Sequence, residues 1–158
     1  MATRSLPASL LALGAALWLA GCGYAVSAGV RLKDGVTHAT VRPFENRSSD
    51  PGVGAEVSAA LREEPARRGA EGDGAIIQGE ARTEGAAATL PGGATARVLL
   101  EVRAQLTRDG QVLAERVIRR EAEYLSGADA LEGDARRGQA LHRLAGEVAR
   151  ALVDAFSE

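Results

Sequence analysis

The sequence predicts an α+β domain: a mainly antiparallel or mixed four-stranded sheet with two helices packed on one face, in the order β-α-β-β-β-α. Three observations carry this. Between Ala94 and Thr107 the residues Ala96, Val98, Leu100, Val102, Ala104 and Leu106 alternate with Arg97, Leu99, Glu101, Arg103, Gln105 and Thr107, the period of two that marks a strand with one buried face. Arg108-Asp109-Gly110-Gln111 follows, an Asp-Gly hairpin signal that predicts an antiparallel return over Val112 to Tyr124. Near the end, Leu141, Leu144, Ala145, Val148, Leu152 and Phe156 recur every three or four residues with Arg143, Glu147, Arg150 and Asp154 between them, an amphipathic helix over about Gly127 to Phe156. Helices gathered on one face of an antiparallel sheet are the stable way to bury such elements.

The remaining elements follow in chain order. Met1 to Gly21 opens with Arg4 and runs uncharged from Leu10 to Ala20, the layout of a cleaved secretory signal. It is shorter than the roughly 18 to 20 residues that span a bilayer. Cys22 to Gly35 has three glycines and little periodicity, and reads as a tether to a single domain over residues 36–158. Val36 to Phe44 is rich in β-branched residues and reads as a strand, with Pro43 confining that position to a strand end or sheet edge. Glu45 to Gly52 is a cluster of turn formers. A helix is expected from about Gly54, with Val57, Ala60 and Leu61 on one face, either stopping near Glu64 or bending at Pro65, because an interior proline costs about 3 kcal/mol. Gly69 to Gly74 is expected as its exit loop. Ala75 to Thr83, around Ile76 and Ile77, reads as a second strand, and Gly85 to Gly93 as a loop or frayed hairpin end.

Composition narrows function. The 137 residues left after Met1 to Gly21 suit one domain with an ordinary core. They hold 18 basic side chains, one fewer than the whole chain, against 21 acidic ones, so no basic field draws in nucleic acid. Only Tyr24, Phe44, Tyr124 and Phe156 are aromatic, too scattered for a base-stacking platform. Cys22 is the only cysteine, which excludes an internal disulfide and cysteine-based zinc sites. His38 and His142 stand in different elements without ligand spacing, so no metal is expected. Glu63-Glu64 reads as a solvated helix face. Ser48-Ser49 lies in a turn with no assignable base and no Gly-x-Ser-x-Gly elbow. Gly92-Gly93 lacks the Gly-Lys-Ser/Thr of a phosphate loop. No catalytic residue, cofactor or enzymatic activity is expected. Arg97 and Arg103 lie on the polar side of the best strand, as on any solvated sheet face or one that meets a polar partner.

Leu19-Ala20-Gly21-Cys22 resembles the lipobox of bacterial lipoproteins at all four positions, which implies lipid attachment at Cys22; the alternative is an ordinary signal peptide with an incidental cysteine. Several acyl chains anchor a protein stably where one does so marginally. Gly23 after that cysteine, in place of Asp, favours the outer membrane.

Further segments, in order, resemble the LptE family of lipopolysaccharide-assembly lipoproteins. They are Cys22-Gly23-Tyr24, Val41-Arg42-Pro43-Phe44-Glu45-Asn46-Arg47 with Pro51-Gly52, Ala59-Ala60-Leu61-Arg62-Glu63-Glu64 leading to Arg67-Arg68-Gly69, Glu121-x-Glu123-Tyr124, and Ala140-Leu141-His142-Arg143-Leu144-Ala145. Two departures are Pro65, where such helices keep a helix former or an aromatic residue, and the thin apolar content of Gly85 to Gly93. The resemblance implies a lipid-anchored protein on the periplasmic face of the outer membrane. It would plug the lumen of the LptD β-barrel translocon, assist its assembly and support lipopolysaccharide insertion, with lipopolysaccharide itself a further ligand. Val41 to Ser49 also resembles the first strand of TolB-N-like lipoprotein domains, which implies the alternative of a secretion-channel subunit or cell-wall synthase activator.

Overall fold

A computed structural model describes residues 29–88 and 95–157; Cys22, Tyr24 and Gly92-Gly93 lie outside them. The elements are β1 (Ala39–Val41), β2 (Glu45–Asn46), α1 (Val53–Arg67), β3 (Glu71–Ala88), β4 (Thr95–Arg108), β5 (Gln111–Leu125) and α2 (Ala130–Phe156). β3, β4 and β5 form an antiparallel meander, and β1 and β2 pair parallel to β3 on its other side. The sheet is thus mixed and has five strands rather than four, because the first expected strand is split. Arg42 N–H donates to Ile77 O and Arg47 N–H to Ala81 O, so the chain keeps contact with β3 on both sides of Pro43, which has no N–H to contribute.

The alternation of β4 is resolved as expected: its even residues from Ala96 to Leu106 are all buried, while Arg97 and Arg103 are exposed. The two helices pack on the buried side, and Leu61, Ile77, Leu100, Leu144, Val148, Leu152 and Phe156 form one core with them. Asp109 (φ 52°) and Gly110 (φ 80°) turn the chain between β4 and β5, with Arg108 opposite Gln111, a two-residue turn with both central residues left-handed.

Four sequence expectations are corrected. Leu32, placed in the tether, is 3% exposed and packs in the core with Val36. Of the two alternatives for α1, the stop near Glu64 is not taken: the helix runs through Pro65 to Arg67. Pro65 stands in its last turn, where it removes a single backbone bond. Four residues after the proline, Gly69 adopts φ 68°, and Ala70 N–H donates to Pro65 O while Gly69 N–H donates to Ala66 O. That pair of bonds is the Schellman stop, for which glycine is the natural residue. With the helix ended so tightly, β3 starts at Glu71 rather than after an exit loop to Gly74. At its other end β3 continues through Gly85 to Ala88, opposite Val98 to Thr95, because a partner strand satisfies the backbone of small residues as well as that of large ones. α2 begins at Ala130, capped by Asp129, whose carboxylate accepts from Glu132 N–H at 2.8 Å.

Candidate interaction surface

Among the described residues one face of the sheet carries no helix, and charges on it are paired, mostly across strands. Arg47 meets Glu45 at 2.6 Å and Glu80 at 3.5 Å. Arg103 reaches Glu80 at 4.0 Å and Glu115 at 3.5 Å, and Gln105 Nε2 donates to Glu115 at 2.9 Å. Arg97 reaches Glu123 at 3.0 Å and Glu121 at 3.7 Å, and Arg119 bonds Glu101. Glu123 holds the Arg97 guanidinium above its ordinary pKa. Each exposed pair adds little stability; together they make the face polar, every one of these arginines being met by a glutamate. A shallow cavity of about 490 Å³ opens on it, lined by Arg42, Pro43, Arg47, Glu80, Arg103 and Gln105 among others. The two arginines singled out by sequence, Arg97 and Arg103, are therefore both members of this ionic lattice.

The helix layer is held to the sheet by polar fastenings. Arg137 of α2 grips Asp50 of the β2–α1 loop at two points, Nε to Oδ1 at 2.6 Å and Nη2 to Oδ2 at 2.7 Å. Thr83 Oγ1 of β3 also donates to Asp50, and Arg137 Nη1 donates to the Tyr124 hydroxyl of β5 at 3.3 Å. Arg137 holds the Asp50 carboxyl below the usual carboxylate range, and Asp50 in turn raises the Arg137 pKa. Gly85 leaves the space for the guanidinium, since a Cβ there would lie 3.0 Å from Arg137 Nη1.

At the other end of α1, Glu64 is buried rather than on the solvated face expected for Glu63-Glu64; it accepts from Arg68 Nε at 2.7 Å and from Arg67, and Arg68 Nη1 reaches Asp154 of α2 at 2.6 Å. Asp154 foremost, with Glu64, holds Arg68 above its ordinary pKa. Ser58 Oγ accepts from Phe44 N–H at 2.8 Å and donates to Gly54 O at 2.6 Å. Gly54 lets α1 approach this closely, because a Cβ would sit 2.5 Å from Phe44 O.

The other residues weighed in the sequence take structural or surface places. His38 shares a hydrogen bond with Thr37 at 2.9 Å and lies against Gly72 and Gly74. His142 pairs with Glu56 in a groove of about 370 Å³ between the helices, which Glu63 also lines. The two histidines are not brought together. Ser48 N–H and Oγ donate to Asn46 Oδ1, which shapes the turn. Among the described residues no cluster of three or more His, Asp or Glu side chains is placed to hold a metal ion, and no helix is long and apolar enough to cross a membrane.

Among the described residues, segments that carried the family resemblance supply parts of the framework: the β1–β2 passage, the Glu64 fastening of α1, the Gly69 stop, and Tyr124 against Arg137. A family model for lipopolysaccharide assembly, LptE, matches residues 36–156. The chain belongs to the LptE family. Solved structures agree on the fold of this LptE chain. A minor lipoprotein from Acinetobacter baumannii is 12% identical with a TM-score of 0.56, the match covering 77% of this chain and 91% of that one. The rare lipoprotein B from Shewanella oneidensis is 15% identical with a TM-score of 0.53 over 73% and 92%. A lipoprotein of Caulobacter crescentus is 14% identical with a TM-score of 0.53 over 73% and 88%. No curated protein matches the sequence.

Proposed function

We propose that this LptE-family protein is an outer-membrane lipoprotein that plugs an LptD-type β-barrel translocon, assists its assembly and supports lipopolysaccharide insertion at the cell surface. In this reading residues 1–21 are removed, Cys22 carries the lipid, residues 22–35 lead to the domain of residues 36–158, and the domain hangs on the periplasmic face of the outer membrane. The family match over residues 36–156 carries the proposal. The open sheet face supports it. Its charges are already compensated within the chain, so contact with the polar wall of a barrel lumen would leave few charges unpaired. The action is binding rather than turnover.

The test is a pull-down of tagged, lipidated protein from detergent-solubilised outer membranes, with mass spectrometry of the partners and of the N-terminal peptide. The expected result is a stoichiometric large β-barrel of the LptD type and a diacylglyceryl-modified Cys22. Recovery of a secretion channel or a cell-wall synthase in place of the barrel would overturn it. Replacement of Cys22 by Ser is expected to release the protein from the membrane fraction.

A further inference from the structure

β5 is a 15-residue strand at the edge of the sheet, and the direction of its free backbone groups follows from the hydrogen bonds. Arg42 and Arg47 donate to the carbonyls of Ile77 and Ala81, so the odd residues of β3 point toward β1 and β2 and the even ones toward β4. Carried through the registers Glu80↔Arg103 and Val102↔Ile118, this alternation turns the even residues of β5 toward β4 and the odd ones outward. Three side-chain bonds agree: the carbonyls reached by Arg116, Arg120 and Arg136 belong to Glu115, Arg119 and Leu125.

A long edge whose backbone groups pair with no other strand is a template for one unless its side chains forbid it. We propose that this edge pairs with the β5 edge of a second copy of the chain, antiparallel and centred on Val117. The proposal is independent of the barrel reading. Two outward edges must set odd residues opposite odd ones, which leaves few registers. Among registers that overlap nine or more residues of the strand, centring on 115, 116, 118, 119, 120 or 121 places like charges opposite: Glu115, Arg116, Arg119, Arg120 or Glu121 on itself, or Glu115 on Glu121. Centring on 117 places none. It sets Glu115 opposite Arg119 twice, on either side of Val117 against Val117.

On the open face the row then runs Arg82, Glu101, Arg119, and Glu115 of the second copy, alternating in sign across the junction, and the next row buries Val117, which is 41% exposed in the single chain. On the opposite side Ile118, Ala122 and Tyr124 are only partly covered and Arg120 is exposed, so α2 leaves room beside the central part of the edge. In the single chain Arg116 and Arg120 occupy the Glu115 and Arg119 carbonyls, and they must release them for pairing.

The full chain, purified in detergent, is to be followed by analytical ultracentrifugation across concentration. A reversible dimer is expected. Glu115→Arg and Arg119→Glu should each weaken it by about tenfold or more, since each sets two like pairs opposite, and the double variant, which restores both pairs, should recover most of the loss. Val117→Pro should abolish it while leaving the far-ultraviolet circular dichroism unchanged, because the amide it removes points out of the sheet. A wild-type chain that stays monomeric, a dimer indifferent to Val117→Pro, or a folded double variant no better than the singles would each overturn the proposal.

Discussion

Arg137 and Asp50, 87 residues apart, form a two-point ion pair in which both groups are mostly shielded from water. It joins the entrance of α1 to the first half of α2, and through Thr83 and Tyr124 to both β3 and β5. Replacing Arg137 by Met, or Asp50 by Asn, is expected to cost about 2 kcal/mol, the range for a charge-assisted bond whose partner is left partly buried. Arg137→Lys should recover little, since an ammonium cannot reproduce the two-point fork. Urea unfolding of the three variants measures this; losses all below about 0.5 kcal/mol would refute the clamp.

The same pair sets an acid limb of stability. The Asp50 carboxyl titrates lower in the folded protein than in the unfolded chain. Its contribution is therefore complete above the unfolded value of about 3.9 and is lost as the pH falls through the lower, folded one. Melting temperatures between pH 2 and 6 should drop more steeply for the wild type than for Asp50→Asn in that window. Parallel curves would show that the pair is not coupled to folding.

Gly85 belongs to the clamp by virtue of having no side chain. Gly85→Val is expected to destabilise the wild type by about 1 to 2 kcal/mol by displacing the guanidinium. In an Arg137→Met background the same change should be neutral or stabilising, because valine suits a strand better than glycine. Additive effects in the double variant would mean that Gly85 serves some other purpose.

Ser58 supplies the acceptor for Phe44 N–H where the chain passes from β1 to β2. Ser58→Ala leaves that buried amide unpaired and should cost about 1 to 3 kcal/mol. Gly54→Ala should cost at least as much, since its methyl group would lie 2.5 Å from Phe44 O. Hydrogen exchange should localise the loosening to Val41 to Asn46, and protection unchanged there would rule out the fastening.

The strands from Thr95 to Leu125, the turn at Asp109-Gly110, the closing helix and the α+β order were all legible in the sequence. Each rests on periodicity or on turn chemistry, which act over a few residues. The family was legible by resemblance, through several short segments in the right order. The core place of Leu32, the run of α1 past Pro65 and the extension of β3 to Ala88 were decided only by the tertiary structure. Neighbouring elements, not local propensity, bury or pair those residues.

The Asp50–Arg137 clamp lay further out of reach. Asp50 sits in a turn cluster and Arg137 on a helix rich in arginine, and nothing along the chain links them across 87 positions. Gly85 looked like a loop residue because its value lies in the space it leaves for a side chain from another element. Sequence by itself determined which residues face inward along each element and where the chain turns. The tertiary structure decided which charges meet and which strand edge stays open, since both depend on distances that exist only once the layers have packed.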